Sequence, residues 1–212
     1  MNPFDTPVIS GLAVLSLLLF LLAVRSFLKI LPALGDCLRR WKANVDLEDS
    51  LQLSRSRNLV AGILVVPFCL LLYTQSLYRP DFLERLPEIW RFPTVLGIFL
   101  AYIMLRGYLN WQLEMHDYGK PAFTAANRTF FSFLIMLFLL LIFAAGLADV
   151  LVPDPDLRQR LLTFVLAAFY LLYLVRRGQI FASACNPFTT ILYLCSLELF
   201  PTGLLVFSAV SL

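Results

Sequence analysis

Long apolar strings alternate with short charged segments along almost the whole chain. The apolar strings cover residues 8–24 (continuing to about 34), 59–73, 94–113, 130–147, 161–175 and 188–212. A bilayer core about 30 Å thick takes about 20 helical residues to cross. Several strings fall short of that, so their ends must recruit neighbours such as Asn58, Thr74 and Gln75. In lipid an isolated strand would leave backbone groups unpaired, so each string is read as a helix. The expectation is an all-α membrane protein. It is a compact bundle of about six transmembrane helices, forming a single integral-membrane domain over residues 1–212.

Composition strengthens this reading. Hydrophobic residues make up 60% of the 212 and charged residues 15%, with mean hydropathy +0.80. Soluble domains run near 25% charged. Six such strings packed in water would need a polar shell that these side chains do not supply. The first string has no Lys or Arg before it, whereas a signal peptide has a basic start. It is therefore expected to be a spanning helix.

Charge placement predicts the orientation. Of 17 basic residues, seven lie between Arg25 and Arg57. Arg106, Lys120, Arg128, Arg176 and Arg177 fall to the third and fifth connections, making twelve on one side. Arg79, Arg85, Arg91, Arg158 and Arg160 make five on the other. Lys and Arg concentrate in cytoplasmic loops, so both termini are expected outside (N-out/C-out).

Two connections carry patterns of their own. In DFLERLPEIWR (81–91), Phe82, Leu83, Leu86, Ile89 and Trp90 recur at helical spacing, opposite Glu84, Arg85 and Glu88. A short interfacial helix is expected there, with Phe82, Leu86, Ile89 and Trp90 as its apolar face. Residues 37–58 mix charges with scattered Leu and are expected to be cytoplasmic, with Arg39, Arg40 and Lys42 near anionic lipid.

The usual reactive motifs are missing. His116 is the one histidine, and no Cys or Glu stands at ligand spacing from it, so no metal site is expected. His116-Asp117 has no nucleophile beside it. Neither a GxSxG elbow nor a phosphate-cradling glycine loop occurs. Cys37, Cys69, Cys185 and Cys195 form no CxxC pair, and Cys69 and Cys195 read as small packing residues. The net charge of +3 follows from the positive-inside bias, so nucleic acid is not implied. The expectation is a non-enzyme without cofactors. Its partners would be membrane lipids and other integral-membrane proteins. The 19 phenylalanines are expected on lipid- or partner-facing walls, and Ala144-Ala145-Gly146 and Ala167-Ala168 are expected where helices approach closely.

Polar groups at membrane depth are costly and usually face a bundle interior or a pathway. Glu198 lies about ten residues into the last string, roughly 15 Å from its inner end, and Arg106 about seven residues from the inner end of the third, roughly 10 Å. Their depths differ by about one turn, so a buried Arg106–Glu198 pair is expected, with Asn110 and Tyr193 extending it. Pro201 cannot donate to the carbonyl of Leu197, and Thr202 and Gly203 follow, so the helix is expected to kink or open beside Glu198. Such an interruption next to a carboxylate reads either as an ion site or as a kink secured by a salt bridge.

The same stretch, LYLCSLELFP (192–201), resembles the C-terminal signature, roughly LYLCTLEILP, of an uncharacterised family of small polytopic inner-membrane proteins of the Bacteroidota. Arg106 stands where that family carries a basic residue in a middle helix. The resemblance implies residence in the inner membrane of a Gram-negative cell and implies no activity. The functional expectation is a non-catalytic inner-membrane subunit packed laterally in a larger complex, in protein export or membrane-protein biogenesis. The alternative is a small proton- or ion-coupled transporter using Glu198.

Overall fold

The computed structural model describes residues 7–40, 42–43, 50–78, 80–114, 120–183 and 186–211. Helices α1 (Pro7–Arg39), α2 (Leu51–Thr74), α3 (Asp81–Arg85), α4 (Glu88–Glu114), α5 (Lys120–Leu151) and α6 (Pro155–Ala182) follow in order. A last helical rod is built from α7 (Pro187–Leu194), a π-helical turn (Cys195–Leu199) and α8 (Phe200–Ser211). Six stretches are long and apolar enough to cross a membrane: Ser10–Arg39, Gln52–Thr74, Glu88–Gln112, Thr124–Leu151, Pro155–Ala182 and Pro187–Ala209. The chain is an all-α multi-pass membrane protein, and no strand occurs among the described residues.

The helices outrun the apolar strings. Hydropathy stops at the first polar residue, but the i→i−4 ladder continues through it. The clearest case is α6. The apolar string ends at Val175, yet the helix starts at Pro155, capped by the Asp154 side chain accepting from the Asp156 amide, and continues to Ala182. Arg176 and Arg177 therefore belong to a helix and not to a connection. This revises the charge count. Arg57, Arg106 and Arg177 are buried inside the bundle, so nine of the twelve basic residues assigned to the inner side remain as evidence of orientation.

The interfacial helix in the second connection is shorter than expected. Residue 86, before Pro87, is extended (ψ 147°), as a residue preceding proline prefers. That stops α3 at Arg85. Glu88 then opens α4, so Ile89 and Trp90 are exposed in the first turns of a spanning helix and not on an interfacial one. Leu83 is the buried residue of α3, with Phe82 and Leu86 half-buried. Arg91 locks the corner by donating to the carbonyls of Leu86 (3.1 Å) and Glu84 (3.2 Å).

Helices α2 and α5 form the centre. Half of each apolar window there is buried, against 17–22% in the other spans. Helix α1 lies on α2, α6 on α5, and α4 bridges α2, α5 and the last rod. A run of aromatic contacts crosses these helices: Phe68–Phe99 (5.2 Å), Phe99–Tyr102 (5.8 Å), Tyr102–Phe130 (6.2 Å) and Phe130–Tyr173 (6.3 Å). Many phenylalanines are thus core and not outer wall, because ring pairs at these separations add to their area burial. Phe143, Phe164, Phe188 and Phe207 do face outward. Ala125, Ala126, Ala145 and Ala148 are buried, whereas Gly146, Ala167 and Ala168 are exposed, and a Cβ at Gly146 would meet nothing within 4 Å, so of the small-residue stretches expected at close approach only Ala145 is buried and Ala144 half-buried.

Candidate functional site

The aromatic run ends at a buried ion cluster between α4, α6 and the π turn. From α4, Arg106 donates through Nε to Glu198 Oε1 at 2.9 Å, and its Nη2 lies 2.8 Å from the same oxygen. Nη2 also donates to the Tyr173 hydroxyl at 2.7 Å. The guanidinium sits 4.0 Å from the centre of the Phe130 ring, a cation–π distance. From α6, Arg177 ion-pairs with the same Glu198 oxygen through Nη1, which also donates to the Tyr173 hydroxyl at 2.9 Å. Its Nη2 donates to Asn110 Oδ1 at 2.9 Å.

Asn110 links the two arginines. One turn beyond Arg106, its Nδ2 donates to the Arg106 carbonyl at 2.8 Å, which leaves Oδ1 to face Arg177. Both ends of the amide are used, so its orientation is determined by its partners. Glu198 and Arg177 are fully buried, and Arg106, Asn110 and Tyr173 keep 2%, 3% and 4% exposure.

The local helix geometry follows from Pro201. Proline lacks an N–H, and its ring collides with the carbonyl four residues back in a regular helix. The chain widens instead. The Phe200 N–H donates to the Cys195 carbonyl, five residues back, which gives the π turn CSLEL. The Tyr170 hydroxyl donates to the Glu198 carbonyl at 3.3 Å, supplying a partner from outside the helix. Past the break, Thr202 Oγ1 and the Tyr102 hydroxyl are 3.2 Å apart, and Ser208 Oγ and the Tyr78 hydroxyl 2.7 Å. Three tyrosines from three parts of the chain thus hold the interrupted rod.

Of the residues expected at this site, the structure brings together Arg106, Glu198 and Asn110, with Pro201 buried and Thr202 on Tyr102. Tyr193 instead lays its ring against Phe181 (5.8 Å), and the tyrosine that bridges the arginines is Tyr173. Arg177 and Tyr173 are what sequence reasoning missed. A signal was present: Tyr170, Tyr173 and Arg177 stand at i, i+3 and i+7, one helical face, while Arg176 points elsewhere. Arg176 donates to the carbonyls of Leu38 (2.8 Å) and Arg39 (3.2 Å), capping the end of α1.

A second polar cluster joins α2 to α5 at the same end of the bundle. Arg57 donates to Asn58 Oδ1 (3.1 Å) and Ser54 Oγ (3.4 Å), and Arg128 donates to the same Ser54 oxygen at 3.3 Å. Cys37 and Cys69 are buried thiols, whereas Cys195 is exposed and not a packing residue. His116, Asp117 and Cys185 lie outside the described residues. Among the described residues no group of three His, Cys, Asp or Glu side chains could hold a metal. Comparison with protein-family models, curated proteins and solved structures finds no match.

Proposed function

We propose that this chain is a non-catalytic subunit of an inner-membrane complex, packed laterally against other integral-membrane proteins, with both termini outside. Protein export or membrane-protein biogenesis is the setting we favour. The observation that carries the reading is the enclosure of Glu198. Its carboxylate is fully buried and gripped by guanidiniums from two different helices. A carboxylate held in this way fastens the π turn to α4 and α6, and a carrier would need it to exchange partners during each cycle. The resemblance of residues 192–201 to a Bacteroidota inner-membrane signature supports the location.

The test is purification in a gentle detergent followed by mass spectrometry of what co-purifies, for wild type and Glu198→Gln. A stoichiometric membrane partner that is lost, together with reduced protein level, in the variant is the expected result. Recovery of a lone monomer overturns the subunit reading. A variant present at normal level that loses an ion or solute flux supports transport instead. A C-terminal reporter that reads cytoplasmic overturns the orientation.

A further inference from the structure

Helix α1 lies at the edge of the bundle, with 17% of its apolar window buried. Its inward face, Ala23, Phe27, Ile30 and Leu34, packs into the same core as Val60, Leu64 and Phe68 of α2. The opposite face carries two cations one turn apart, Arg25 and Lys29, both exposed. Neither has a hydrogen bond or an ion pair among the described residues.

Both lie deep in the span. The apolar string of α6 ends at Val175, and Arg176 reaches from there to the carbonyls of Leu38 (2.8 Å) and Arg39 (3.2 Å). The inner edge of the bilayer therefore meets α1 near Leu38. From Leu38, Lys29 lies about 14 Å and Arg25 about 20 Å outward along the helix, at 1.5 Å per residue. The middle of a core about 30 Å thick lies about 15 Å from either edge. Hydropathy alone ends the first string at Val24, but the 33-residue helix continues beside α2 to Arg39. Arg25 and Lys29 thus leave the inner-side count, which falls from nine unburied cations to seven against five outside.

Cations at mid-depth rarely face lipid; they pair with another charge or line an interior. Lipid phosphates lie at the bilayer edges, farther than a lysine or arginine side chain extends from here. A second copy of the chain offers no remedy. The exposed acids whose side chains are described stand at or near helix ends, and two copies would set cation against cation. Given the subunit role proposed above, on which this rests, we propose that this face of α1 docks a transmembrane helix of another protein that carries an Asp or Glu near its middle. One carboxylate is enough for both cations, as Glu198 is for Arg106 and Arg177. The exposed Leu18, Leu21, Leu22 and Leu28 on the same side supply an apolar strip for the rest of the contact.

The experiment uses the full-length chain in the membranes of cells that express it natively. A benzophenone photocrosslinking residue replaces Leu22 or Leu28, and the adducts are mapped to peptides by mass spectrometry. Both positions are expected to crosslink to one transmembrane segment of another protein, with an Asp or Glu near its middle. Arg25→Leu with Lys29→Leu should lower the yield by about tenfold or more, since a buried carboxylate is left unpaired. The level of the chain itself should hold, because both side chains point away from its core. Arg25→Glu with Lys29→Glu should restore the adduct when the partner's carboxylate is exchanged for Lys. Adducts to lipid only, to a second copy or to a segment without an acid overturn the proposal, as does full yield in the double Leu variant. In those cases a partner that still co-purifies in gentle detergent leaves the subunit reading standing. A wild-type chain with neither adduct nor co-purifying partner overturns both.

Discussion

Arg106 and Glu198, 92 residues apart in sequence, meet at 2.9 Å in the interior of the bundle, and Arg177 closes on the same carboxylate oxygen from the opposite helix. A single anion thereby joins α4 to α6 and to the last rod. Pairs of this kind contribute through the cost of separating them, since removing one partner leaves the other charged and buried.

Glu198→Gln and Arg106→Gln should each destabilise the protein by about 3–5 kcal/mol. The double variant should lose clearly less than the two added together, because each single change strands the other's partner. Denaturant unfolding in detergent supplies the four stabilities. Additive losses would show that the two side chains do not act as a pair.

Tyr173→Phe keeps the ring that packs on Phe133 (5.4 Å) and Phe130 but removes the acceptor shared by both arginines. A loss of about 1–3 kcal/mol is expected, the range for leaving a buried donor unpaired. Tyr173→Ala should cost more, since the ring is lost as well. Equal stabilities for wild type and the Phe variant would remove the hydroxyl from the account.

Pro201→Ala tests whether the π turn depends on the missing N–H. With an N–H at 201, the ladder can close onto Leu197, and the preceding segment would turn by about 100°, one helical residue. Glu198 would then leave Arg106, and stability should fall by an amount comparable to Glu198→Gln. A variant as stable as wild type would mean that packing, and not proline, sets the widened turn.

Ser76 is the one non-glycine residue with positive φ (53°) among those described. It ends α2 in a Schellman arrangement, with Leu77 N–H donating to the Leu72 carbonyl (3.0 Å) and Ser76 N–H to that of Tyr73 (3.2 Å). Ser76→Gly should stabilise the protein by about 1 kcal/mol, since glycine has no Cβ penalty in this region. The backbone carbonyl of Ser76, which accepts from Gln159 at 2.8 Å, is retained. A lower unfolding midpoint in the glycine variant would contradict this.

The two arginines of the cluster show how unequally the site could be read. Arg106 stands alone among apolar neighbours, so its depth could be counted along one helix and compared with that of Glu198. Arg177 follows Arg176 at the end of an apolar string, where a pair of arginines looks like an inner-side boundary. Only the continuation of α6 to Ala182 turns Arg177 inward, onto the face of Tyr173, while Arg176 reaches out to cap α1. Similarly, the helical spacing of Phe82 to Trp90 was visible, but one helix could not run through Pro87 from the extended residue before it.

Residue order by itself determined what depends on neighbours along the chain: six apolar stretches, the interruptions at Pro87 and Pro201, and the depths of Arg106 and Glu198 within their spans. Those follow from transfer of side chains into lipid and from backbone hydrogen bonding, both summed along one segment. Tertiary structure alone decided which helices are neighbours and how each is rotated about its own axis. Rotation is set by packing between rods, in which a change of about 100° per residue carries a side chain from lipid to core. It is why Arg177 and Tyr173 face Glu198, why Ala167 and Ala168 face outward, and why one carboxylate serves two arginines.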